Sequence, residues 1–115
     1  RYTWHRDHRI TGQVVADAVY PFARNAPAFP ELIKENLAPH LVKEMLFWGS
    51  DEPNHFIDIT QTFNLKLKAL KCHQTQVGMH GEENIEKFLR QRAQKLAEKQ
   101  PYELAEAFYR VETLW

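Results

Sequence analysis

Val14, Val15, Ala18, Val19 and Phe22 recur three and four positions apart, the spacing that gathers side chains on one helical face. The pattern predicts a helix over residues 8–24. Asp7 is its expected N-cap, with the carboxylate accepting free amides of the first turn. Pro21 lacks an N–H and its ring clashes with the preceding turn, so it kinks or ends this helix. Residues 25–29, with Pro27, read as a connector. Pro30 suits the first position of a short second helix reaching about Asn36, and Pro39 and His40 follow as a turn.

The pattern then changes. Residues 42–48 end in the unbroken run Met45-Leu46-Phe47-Trp48, which suits a strand covered on both faces, as in a parallel sheet. Residues 49–54 carry turn chemistry, and residues 55–59 read as a second strand. Asp58 or Thr60 is placed to cap a helix over 61–76, whose apolar face is Phe63, Leu67 and Leu70. After a link at 77–81, a further helix is predicted over 82–99, with Ile85, Phe88, Leu89, Arg92 and Leu96 on one side. Glu82 and Glu83 suit its N-terminal end, Lys95 and Lys99 its C-terminal end, and Pro101 stops it. Residues 105–111 form the closing strand. Helices interleaved with strands of buried character predict an α/β fold, a parallel sheet flanked by helices. Three strands make a thin sheet, so the expectation is the C-terminal half of a larger domain. The start at Arg1, running into Tyr2-Thr3-Trp4-His5, adds to that expectation.

Composition narrows the classes. The 115 residues make one domain or part of one, and 43% hydrophobic with 26% charged residues is a globular balance. Fifteen basic residues match fifteen acidic ones, which argues against a nucleic-acid partner held by phosphate neutralisation. One cysteine, Cys72, excludes an internal disulfide framework and a Cys-rich zinc site; a small, buried or half-buried role is expected for it. No apolar run reaches the roughly 20 residues of a transmembrane helix, and no signal-peptide pattern opens the chain. A cytoplasmic setting is the expectation.

The densest chemistry is His5-Arg6-Asp7-His8, two imidazoles and a carboxylate within four residues where the chain enters a helix. In α/β folds ligands bind where strands pass into helices. One imidazole can bind a divalent metal while the other handles a proton beside it. Spacing alone equally suits a polar helix start with surface histidines, because catalytic zinc takes three protein ligands.

The stretch His5-Arg6-Asp7-His8-Arg9-Ile10-Thr11-Gly12, followed by Ala16-Asp17-Ala18-Val19-Tyr20, resembles the second motif of the LmbE-like (PIG-L-like) N-acetylglucosaminyl-phosphatidylinositol de-N-acetylases. That motif reads H-P-D-H-R ahead of a helix. The resemblance continues through Pro53-Asn54-His55-Phe56-Ile57-Asp58-Ile59-Thr60. It then takes in Lys66, Ala69, Leu70, His73 and Gln76, and ends in Ala105-Glu106-Ala107-Phe108. Arg6 stands where the family has Pro, which loosens the backbone without removing a functional side chain. The family's first motif, A-H-P-D-D-E, has no match here.

The resemblance implies that residues 1–115 are the C-terminal half of a Rossmann-like LmbE-type deacetylase domain. It implies zinc-dependent hydrolysis of an N-acetyl group on an N-acetylglucosamine-containing substrate, releasing acetate and a free amine. His8 would be the third zinc ligand, the others coming from the absent motif. His5 would stabilise the oxyanion or protonate the leaving amine, and Asp7 would orient or charge-balance a histidine. Trp4 and Tyr2 flank the motif, where aromatics either pack a loop against the core or stack on a sugar; His55 is either a turn residue or lines the same mouth. His40, His73 and His80 read as polar surface or turn residues. A non-catalytic remnant serving as a binding or assembly module is the alternative. Uncovered apolar faces at Leu46-Phe47-Trp48 and at Val15, Val19 and Phe22 favour association, so a homo-oligomer is within the expectation.

Overall fold

The computed structural model describes residues 5–77 and 81–113. The chain divides into two compact units, Arg1–Leu46 with Val111–Trp115, and Phe47–Arg110.

The first unit is largely helical. Helix α1 spans Arg6–Asp17 and runs directly into a π-helical turn, Ala18–Phe22. Tyr20 leaves helical geometry there, at φ −146° and ψ 126°, immediately before Pro21. The residue before a proline is driven out of the α region by the ring, so the expected kink falls one residue ahead of it. A 3-10 turn, Ala26–Ala28, and a short helix α2, Pro30–Lys34, follow. Asn36 takes a positive φ of 61°, which reverses the chain out of α2. The amide of His40 donates to the Ala23 carbonyl at 2.8 Å and returns the segment towards the end of the π turn. Strand β1 spans Glu44–Trp48. Beside its start, the Thr113 amide donates to the Lys43 carbonyl at 2.9 Å, and the Thr113 hydroxyl donates to that of Val42.

The second unit contains strand β2 (His55–Asp58), helices α3 (Phe63–Lys71), α4 (Gln74–Val77) and α5 (Glu82–Ala97), and most of strand β3 (Ala105–Glu112). The three strands lie in the order β1-β3-β2. β2 runs antiparallel to β3, with His55 opposite Phe108 and Asp58 opposite Ala105. The sheet is therefore small and antiparallel where a parallel one was expected. A long apolar run identifies a strand without fixing its direction, and the helices between β2 and β3 return the chain on the opposite heading. β1 is not covered on both faces either: Leu46, Phe47 and Trp48 are all exposed, Trp48 at 68%.

All buried apolar residues among those described belong to this second unit. Phe63 (1% exposed) and Leu67 project one turn apart from α3 and meet Ile59, Ala93 and Leu104, with Leu89 packed against them. The Arg90 guanidinium lies 4.5 Å from the Phe63 ring centroid, which closes the cluster with a charged lid. The expected α3 face is confirmed. On α5 it is Ala93 and Ala97 that are buried, while Phe88 points to solvent at 60% exposure. Small residues let α5 approach the core closely, a role that a reading led by bulky side chains misses.

The expected single helix over 61–76 breaks at Cys72 and His73 into α3 and α4. The Cys72 amide bonds three residues back to Ala69 and that of His73 to Leu70, a tightening that ends α3. Ahead of α3, the N-cap position is Thr62, not Asp58 or Thr60. Asp58 instead holds the turn before it, accepting from the Thr60 amide at 2.8 Å. Hydrogen bonds from Thr60 hold the Asp58 carboxyl below its ordinary range.

The histidine motif and two grooves

α1 begins two residues earlier than its apolar stripe indicates. The Arg9 amide donates to the His5 carbonyl at 3.2 Å, so His5 is the N-cap and Arg6 the first helical residue. Asp7 is thus not the cap. It sits inside the first turn, where its charge still favours the amide end of the helix. Its carboxylate lies 3.9 Å from Arg6 Nε, and both side chains are open to solvent.

Starting the helix at Arg6 brings His5 and His8 onto one side. Their rings stack, with centroids 4.4 Å apart and planes 28° from parallel. Both residues are exposed. Exposed imidazoles at this spacing suit zinc in chemical type but not in number. Among the described residues no three His, Cys, Asp or Glu side chains come together to hold a metal ion. Two exposed imidazoles are short of the three protein ligands that a catalytic zinc takes.

The remaining candidates are dispersed. Trp4 and Tyr2 lie outside the described residues, as does His80. His55 belongs to the second unit, half-buried on β2 opposite Phe108, while His5, Asp7 and His8 belong to the first. His73 is exposed between α3 and α4. Cys72 is exposed, against the expectation of a buried or half-buried thiol; its Sγ is 3.4 Å from the Lys68 carbonyl.

Two concave surfaces lie apart from the motif. The first unit holds a groove of about 430 Å³ walled by Val14 of α1, Ala18 and Phe22 of the π-helical turn, Phe29, and Leu32 and Ile33 of α2. The Phe22 and Phe29 rings meet at 5.9 Å, tilted by 58°. The second unit holds one of about 360 Å³, lined by Trp48 and Phe108, by Leu89, Ala93 and Leu96 of α5, and by Lys66, Arg92 and Glu106 as polar groups. Lys66 and Glu106 are ion-paired. Neither groove is lined by His5, Asp7 or His8.

Asn54 is the positioning residue that sequence reasoning missed. Its Nδ2 donates to the Arg110 carbonyl at 3.1 Å and its Oδ1 accepts from the Arg110 amide at 2.7 Å. The side chain thus pairs as a strand residue would, and anchors the loop leading to His55. Turn chemistry explained Asn54 locally; its partner, 56 residues on, carries no local signal.

No protein-family model matches the chain. It is 36% identical over 77 residues to a diacetylchitobiose deacetylase of Thermococcus kodakarensis, a match covering 65% of this chain and 28% of that protein. It also superimposes, with a TM-score of 0.80 and 29% identity, on the N,N'-diacetylchitobiose deacetylase of Pyrococcus horikoshii solved with its inhibitor MPG. That alignment covers 96% of this chain and 42% of the other. The chain is therefore homologous to part of the diacetylchitobiose deacetylases, as the LmbE-like resemblance implied, and spans well under half the length of either relative.

Proposed function

We propose, on the premise of that homology, that residues 1–115 are the C-terminal segment of a single zinc-dependent N-deacetylase domain acting on an N-acetylglucosamine-containing sugar. The observation that carries the reading is the likeness to a chitobiose deacetylase along 96% of the chain, with the H-x-D-H motif at the start of α1. The reaction hydrolyses the acetamide, giving acetate and a free amine.

His8 is the zinc ligand this segment contributes. Bound zinc would supply Lewis-acid polarisation of the acetyl carbonyl and a lowered pKa for water. His5, stacked on His8, holds a proton for the oxyanion or for the departing nitrogen. Asp7 balances the charge of the imidazoles from the same turn. Trp4 and His55 serve the sugar. The remaining zinc ligands and a carboxylate base come from a segment with the A-H-P-D-D-E motif.

The non-catalytic reading has one observation in its favour, the lack of three gathered metal ligands among the described residues. The two readings separate on the protein in its native length. His8→Ala should lower bound zinc. His5→Ala should leave zinc nearly stoichiometric and cut acetate release by roughly 10²–10⁴-fold. Zinc lost from the His5 variant and kept in the His8 variant would reverse the roles. Wild-type protein with neither zinc nor acetate release leaves the binding-module reading standing.

A further inference from the structure

We draw no further inference here: the strongest candidate, the groove of the second unit lined by Trp48, Phe108, Lys66, Arg92 and Glu106, belongs to a chain that spans 42% of its structural relative, and nothing in the structure shows what covers it.

Discussion

α1 of the first unit and α3 of the second carry the same kind of signal, apolar side chains at helical spacing, and meet different fates. On α3, Phe63 and Leu67 are buried against Ile59, Ala93 and Leu104. On α1 no residue is buried, and none of the other described residues of its unit is either. Helical spacing tells which face seeks cover; the cover itself comes from elsewhere in sequence or from another chain. The candidate catalytic histidines stand on the unit that has built no core of its own.

The sharpest way to break this contrast is truncation in each unit. Phe63→Ala should cost about 3–5 kcal/mol, the range for removing a buried aromatic. Phe22→Ala, at 45% exposure, should cost about 1 kcal/mol or less. Chemical denaturation followed by circular dichroism measures both, and equal costs would erase the distinction. Hydrogen exchange reads the same difference without mutation. Amides of α3 and α5 should exchange more slowly than those of α1 and α2 by one or more orders of magnitude.

A smaller effect is expected within the second unit. A double-mutant cycle with Lys66→Met and Glu106→Gln should give a coupling of about 1 kcal/mol or less, shrinking with added salt, because the pair is part exposed. The smallest is at Asp58. Its carboxyl titrates below its ordinary value of 3.8, so the ionised form stabilises the fold above that pH, and the contribution is lost as pH falls through the depressed value. Asp58→Asn should melt slightly lower than wild type at neutral pH and converge with it in acid. A difference that persists or grows in acid would assign the effect to something other than the charge.

What could be read from the sequence divides along the same lines. The α3 face, the disturbance at Pro21 and the H-x-D-H motif are local, and each was legible from residues a few positions apart. The direction of the sheet was not. β3 lies 47 positions beyond the end of β2, and nothing within either strand records which way the other runs. The Asn54–Arg110 pairing leaves no trace in periodicity, because it arises only when distant segments meet; of the groove, only the wall of Val14, Ala18 and Phe22 lies in the helical stripe. α1 starts ahead of Asp7 because the backbone carbonyl of His5, which carries no side-chain signal, takes the first helical hydrogen bond. As for the motif, its residue types were legible and its ring stacking was not.

The clamp at Asn54 bears on how the protein ages. An asparagine deamidates when the following backbone amide attacks its side-chain carbonyl, a reaction that needs the side chain free to swing. Here both ends of the side-chain amide are held by Arg110. Asn54 should therefore outlast an exposed turn asparagine such as Asn36 during prolonged warm incubation, as peptide mapping can follow. Were Asn54 converted to aspartate, the donor to the Arg110 carbonyl would become an ionised oxygen facing another oxygen, and the attraction would turn into repulsion. The end of the β2–β3 ladder would then open at His55, so a single added mass unit at this position would serve as a chemical clock for the loss of that strand pairing.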